Sequence, residues 1–156
     1  DSESEEKLEI FDLSENIEGV ILPFEAAAFD KGVTIEQDIT PDISFTGNPI
    51  DISRMAETLI ENAIGHAPSG TAVDVKLHRS PKHIYFTVGN HGETIDPESQ
   101  KHLFERFYRV DKARNRKEGH FGLGLAIAKA IVDRHGGNIA VRSENGYTLF
   151  TVTFHI

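Results

Sequence analysis

Cysteine is absent from the 156-residue chain. That excludes a disulfide scaffold and any thiolate metal site, and it fits a reducing compartment. Long apolar runs are missing too. No stretch approaches the roughly 18 consecutive apolar residues of a membrane span, and the opening residues, DSESEEKLE, are the opposite of a signal peptide. There is no G-x-x-x-x-G-K-[ST] sequence, so phosphate is not held by a Walker loop. No pair among the eight histidines has zinc spacing supported by other ligands. Methionine occurs once, at Met55, and the first residue is Asp1, so the chain reads as a piece of a longer protein.

Positive charge is also in short supply. Sixteen Lys and Arg face 25 Asp and Glu, a net charge of -9 that argues against nucleic acid as a partner, because phosphate neutralisation needs a cationic surface. The distribution is uneven. Residues 1 to 18 carry eight acids against Lys7, whereas residues 101 to 117 carry seven bases, among them Arg106, Arg109, Lys112, Arg114 and Arg116, against Glu105 and Asp111. Residues 1–7 read as a solvated acidic leader. The basic segment directly precedes a glycine run, where a phosphate reader would want it. At 38% apolar and 26% charged residues, one globular domain over 1–156 is expected.

Periodicity supplies the elements. Leu8 to Leu13 and Val33 to Ile39 alternate as strands do, with a helix from Ser14 to Phe29 between them that Pro23 should kink. Ile43 to Thr46 is a short strand candidate. Asn48 and Pro49 supply an N-cap and a first-turn proline for a helix reaching about Ala67. Strands follow at Ala72 to His78 and His83 to Val88, then an irregular stretch from Gly89 to Phe121 with at most two helical turns near Pro97 to Phe107. A connection of that length in a compact domain is usually a functional loop or lid. The chain recovers with a helix from Leu123 to His135, stopped by Gly136 and Gly137, and strands at Asn138 to Arg142 and Thr148 to Phe154. The sum is an α/β two-layer sandwich, a mixed sheet of about five strands covered by three helices.

The helix SRMAETLIENAIGHAP has an apolar stripe of Ile52, Met55, Ala56, Leu59, Ile60 and Ala63. Glu61 falls opposite that stripe. Asn62 falls about 100° from its centre, in line with Thr58 and His66 one turn to either side. Such a row lies at the rim of the sandwich, where a pocket would open; alone, it reads more readily as a polar boundary with no ligand, which only other motifs overturn. The remaining signals stand in order behind it: VGNHGETI after a strand, then LFERFYRVDKAR, then GHFGLGLAIAKAIVDRHGG.

In that order and spacing, the chain resembles the ATP-binding domain of bacterial sensor histidine kinases, a branch of the GHKL ATPase superfamily, over nearly its whole length. ENAIGHAP is similar to the family's N box, VGNHGETI to its first glycine box, LFERFYRVD to its F box and GHFGLGL to its second glycine box. Each box alone is unspecific; the four together, FERFYR included, single out the kinase branch. The resemblance implies a Bergerat-type fold with an ATP lid over about 96–121. It implies ATP and Mg2+ as cofactors, with Asn62 as metal ligand through its amide oxygen. It places His66, Asn90, Gly92, Thr94, Tyr108, Arg109, Gly119, Gly122, Leu123, Gly124 and Leu125 at the nucleotide, with Asn62 and Arg109 in the catalytic role. Arg109 would reach the terminal phosphates, as a forked guanidinium suits, and Phe104 and Phe107 would pin the lid to the body.

The implied reaction is transfer of the ATP γ-phosphoryl group to a histidine on a separate dimerisation domain. No histidine here has the phosphoacceptor context, so His78, His83, His102, His135 and His155 read as ordinary. A response regulator is the further partner, the isolated domain is expected to be a monomer, and the implied location is the cytoplasmic portion of a membrane-bound parent. The chain departs from the family at His120, where a glycine is usual, and at four further places. Asn90 stands where an adenine-contacting aspartate is usual, His91 replaces an asparagine, Thr94 a glycine, and Gly65 a lysine that would touch phosphate. If position 94 needs positive φ, a β-branched residue is strained there and the loop shifts. These departures keep open a degenerate domain acting as a regulatory docking module. A serine/threonine kinase of the anti-sigma type and a generic interaction domain are further rivals.

Overall fold

A computed structural model describes residues 8–108 and 124–156 of the protein. The first strand, β1 (Glu9–Asp12), runs into helix α1 (Leu13–Lys31), whose first turn is capped by Asp12 accepting from the Glu15 N–H at 3.0 Å. Leu13, Ile17, Val20, Ile21 and Ala28 form its buried stripe. α1 runs through Pro23 without interruption. The carbonyl of Gly19, which loses its intrahelical donor there, lies on an exposed face where water can replace it. Gly32 ends the helix at φ 79° and donates back to the Ala28 and Phe29 carbonyls.

Strands β2 (Thr34–Ile39) and β3 (Ser44–Gly47) precede helix α2 (Pro49–His66). The Asn48 side chain caps α2, accepting from the N–H groups of Ile50 at 3.0 Å and Asp51 at 3.1 Å, with Pro49 in the first turn. At the other end Lys31 donates its ammonium to the Ile64 and Gly65 carbonyls, at 2.6 and 2.5 Å. A cation there also opposes the negative end of the helix dipole. β4 (Ala72–Arg79) and β5 (His83–His91) follow, then the single turn α3 (Pro97–Gln100), helix α4 (Gly124–Arg134), and the hairpin β6 (Asn138–Glu144) and β7 (Tyr147–His155).

The main sheet has the order β2-β4-β5-β7-β6, parallel only between β2 and β4, while β1 and β3 form a separate antiparallel pair. Period-two alternation sends Ile84, Phe86, Val88 and Asn90 of β5, and Thr148, Phe150, Val152 and Phe154 of β7, to the face that the helices cover. α2 lies between α1 and α4 and over β5, with Ile52, Leu59 and Ile60 wholly buried. Burying each such side chain is worth about 1.5–3 kcal/mol. The expected two-layer α/β sandwich is therefore observed.

One boundary matters for function. β5 continues three residues past Val88, so Gly89, Asn90 and His91 are strand and not loop; Asn90 pairs with Val73 on one side and Thr148 on the other. The expected irregular connection from Gly89 thus begins only after His91. Gly89 is there because Tyr147 crosses it: a Cβ at that position would lie 2.0 Å from the Tyr147 hydroxyl, which donates to Asp74 at 2.7 Å. Burial, and then the Asp74 carboxylate, push the Tyr147 phenol upward, so it stays protonated as that donor.

Candidate nucleotide-binding site

Thr58, Asn62 and His66 lie as the helical spacing predicts, half-buried along one flank of α2, with Glu61 exposed. One glycine from each box, Gly92 and Gly124, comes to an opposite end of that row. A Cβ at Gly124, the first residue of α4, would stand 3.3 Å from the Thr58 methyl. A Cβ at Gly92 would stand 3.0 Å from the His66 carbonyl oxygen and 3.8 Å from Pro68 Cδ. Gly92 also has φ 147°, a conformation that side chains rarely adopt, so two independent constraints require glycine there. Asn62 is one helical turn from each of these approaches. The Thr58 hydroxyl donates back along the helix to the Arg54 carbonyl at 2.9 Å, leaving the Asn62 amide as the polar group at the middle of the row.

Asn90 forms the floor. It is 4% exposed, and its Nδ2 donates to the His91 carbonyl at 2.8 Å. Its Oδ1 has no partner among the described residues. A buried acceptor left unpaired costs about 1–3 kcal/mol, which points to a donor that arrives from outside the chain. Asn90 Nδ2 is 3.6 Å from where a Gly92 Cβ would be, so the orphaned amide and the bare glycine backbone border the same space.

Thr94 does not carry the expected strain. Among the described residues, positive φ at non-glycine positions is confined to Asp42, Phe107 and Asn145. The Thr94 hydroxyl instead accepts from the Gly146 N–H at 2.7 Å while the Gly92 N–H donates to the Gly146 carbonyl at 3.0 Å. The loop after β5 is thereby clamped to the β6–β7 turn, and threonine at 94 is the residue that makes the clamp.

The F box divides differently from expectation. Leu103 is buried and Phe104 packs edge-on against Phe150 at 6.0 Å, but Phe107 is 64% exposed with φ 65° and pins nothing. Left-handed backbone at 107 turns its side chain away from the body. The anchor in its place is Tyr108, whose hydroxyl donates to Ser99 Oγ at 2.9 Å and whose ring lies 5.4 Å from that of His102. Leu125 is half-buried against the core. Arg109, Gly119, Gly122 and Leu123 lie outside the described residues.

Sequence reading missed the role of His135. Its Nε2 accepts from the Asn48 N–H at 3.1 Å, its Nδ1 donates to the Ile131 carbonyl at 2.8 Å, and its ring contacts Phe45 and Phe154. Beside it Arg134 donates to Asp51 at 2.9 Å. The C-terminal end of α4 is thus bolted to the N-terminal end of α2, which sets the angle at which Gly124 meets Thr58. The only sequence signal was position: a histidine at the end of one helix and an asparagine cap before another.

A mixed sheet under three helices, with Gly92 and Gly124 approaching one polar helix row over a buried unpaired amide, defines an α/β-sandwich nucleotide-binding domain. Residues 47–156 match the family described as "Histidine kinase-, DNA gyrase B-, and HSP90-like ATPase". The heme sensor protein HssS of Staphylococcus aureus (strain JH9) is 38% identical over 138 residues, which are 88% of this chain and 29% of that protein. Among solved structures, a mycobacterial sensor histidine kinase, MprB, superposes with a TM-score of 0.82 at 26% identity, over 95% of this chain and 97% of the other. A nucleotide-free catalytic domain of the histidine kinase ThkA superposes at 0.85, over 95% of both chains; at 21% identity that likeness is one of fold.

The chain belongs to the histidine kinase-, DNA gyrase B- and HSP90-like ATPase family. Within it, this is an ATP-binding catalytic domain of the sensor histidine kinase type. It spans 29% of the length of HssS.

Proposed function

We propose that the chain binds ATP with Mg2+ and, within its parent, transfers the γ-phosphoryl group to a histidine on a separate dimerisation domain, for passage to a response regulator. The observation that carries this reading is the unpaired Oδ1 of buried Asn90 beside the bare backbone of Gly92. That oxygen suits the exocyclic amino group of adenine, and Gly92 leaves room for the base. The Asn62 amide oxygen is a hard ligand suited to Mg2+, which takes few protein ligands and completes its shell with phosphates and water. His66 ends the same row, Gly124 approaches it at Thr58, and Leu125 follows Gly124 in sequence. Tyr108, assigned to the nucleotide from its motif, has its hydroxyl on Ser99 and serves as an anchor. Arg109, Gly119, Gly122 and Leu123 are assigned from their motif alone.

In the transfer, the bond from the γ-phosphorus to the β–γ bridging oxygen breaks and a phosphorus–nitrogen bond forms on the acceptor imidazole. No covalent step falls to this domain, whose share is positioning and charge neutralisation. The parent would hold it as the cytoplasmic part of a membrane-bound sensor; among the described residues no helix is long and apolar enough to cross a membrane.

Calorimetric titration with ADP and Mg2+ tests the reading. Binding is expected, and Asn62→Ala should abolish its Mg2+-dependent part while leaving the thermal transition in place, since Asn62 flanks the core stripe and does not fill it. No binding at millimolar nucleotide would instead establish the docking-module reading. Stoichiometric acid-labile phosphohistidine formed by this chain alone would overturn the assignment of roles.

A further inference from the structure

Residues 96 to 108 contain a pattern that the nucleotide site does not use. Asp96, Ser99, His102, Glu105 and Tyr108 recur every three residues. The backbone follows that spacing: the His102 N–H donates to Ser99 O at 3.0 Å, Glu105 to His102 O at 2.9 Å and Tyr108 to Glu105 O at 3.3 Å. Consecutive three-residue turns bring side chains at i and i+3 into one column. Along it, Ser99 donates from its N–H and its hydroxyl to Asp96, at 2.8 and 2.9 Å, and Tyr108 donates to Ser99 at 2.9 Å. The imidazole of His102 contacts Glu105 through Nδ1 at 2.6 Å and Glu98 through Nε2 at 3.3 Å, and it faces the Tyr108 ring.

A ring nitrogen pair facing two carboxylates is satisfied on both sides only when both nitrogens carry protons. The last turn is strained as well, because Phe107 holds φ 65° without being glycine. What keeps Tyr108 folded back over that strained residue is its pair of contacts, to Ser99 and to His102.

We propose that His102 is a positioning residue of the F box: as an imidazolium between Glu98 and Glu105 it holds Tyr108 in place, and with it the point where the chain departs toward Arg109, so that nucleotide affinity falls as His102 deprotonates. The proposal rests on the nucleotide-binding reading above. Around His102 the other charged groups are Lys101, which pairs with Glu98 at 3.6 Å, and Asp96, reached through Ser99. β6 packs against α3 and brings Arg142 and Glu144, which pair with each other at 3.1 Å. Hydrogen bonding to Glu105, then to Glu98, raises the His102 pKa above its ordinary 6.5. The protonated clamp therefore persists above that pH and is lost at higher pH.

Two measurements on the intact chain separate this proposal from the function it rests on. In nucleotide-free protein, NMR titration should show the Tyr108 ring resonances moving with the His102 imidazole; a Tyr108 signal indifferent to that titration overturns the clamp whether or not nucleotide binds. In calorimetry with ADP and Mg2+, Kd should rise severalfold across the same titration. His102→Gln should flatten that profile, Glu105→Gln should move its midpoint to lower pH, and Tyr108→Phe should weaken binding at every pH. A wild-type profile retained in His102→Gln overturns the proposal. Absence of any binding, with the Tyr108 coupling intact, removes the function and leaves the clamp standing.

Discussion

At the scale of single residues, the site depends on two atoms that are missing or unpaired. Gly92 lacks a Cβ that would press on the His66 carbonyl at 3.0 Å, in a conformation with φ 147°. Gly92→Ala should therefore destabilise the fold by about 1–3 kcal/mol, measurable by urea denaturation, and weaken ADP binding beyond that loss. Asn90 has an unpaired Oδ1, and Asn90→Ala should reduce ATP affinity by about 1–3 kcal/mol, the usual cost of leaving the partner group unmatched. Competition settles the chemistry: ATP should displace a labelled nucleotide from the parent protein better than GTP, and equal competition would show that Asn90 does not read adenine. Both residues were singled out from the sequence. The strain expected at Thr94 was not legible, because whether a loop residue needs positive φ depends on what its side chain can reach. That partner, the Gly146 N–H, lies 52 positions along the chain.

At the scale of elements, α2 and α4 must hold a fixed angle for Gly92 and Gly124 to approach one row. Three contacts at their ends do this: His135 to the Asn48 N–H, Arg134 to Asp51, and Gly47, whose bare backbone lets the His135 ring approach within 3.0 Å of where a Cβ would be. His135→Ala removes an acceptor from a part-buried N–H as well as ring contacts with Phe45 and Phe154. It should cost about 1–3 kcal/mol in stability. A nucleotide affinity that falls further than in an equally destabilised core variant such as Ile139→Val would show that the helix angle is what the histidine sets. The helices themselves were legible from caps and periodicity to within a residue or two. Phe107 was not, since two phenylalanines three apart predict a shared buried face only if the chain between them stays in one conformation, and Phe107 itself leaves it.

For the whole molecule, pH acts through the segment 96–108. The Ser99 N–H, then its hydroxyl, lower the Asp96 pKa below its ordinary 3.8, so the stability Asp96 contributes is present above that pH and lost as pH falls through the lower folded value. His102 works in the opposite sense. Its pKa is raised, so its contribution is complete below about 6.5 and lost as pH rises through the elevated folded value. Amide hydrogen exchange at residues 99, 102, 105 and 108 should accordingly be slowest, after correction for intrinsic rates, between those two limits. Nucleotide binding should also raise the melting temperature with a logarithmic dependence on ligand concentration. GTP should raise it less than ATP.

What the amino-acid sequence determined by itself was everything governed by near neighbours along the chain: the cap at Asn48, the period of α2 that lines up Thr58, Asn62 and His66, the alternation of β5 and β7, and the order of four boxes. What tertiary structure alone decided was which of those pieces touch. That His66 meets Gly92, that Thr58 meets Gly124, and that Thr94 is tied to Gly146 follow from the sheet order β2-β4-β5-β7-β6 and from helices bolted across its face. Pairing between strands far apart in sequence is a many-body outcome of burying one apolar face, so no local pattern encodes it.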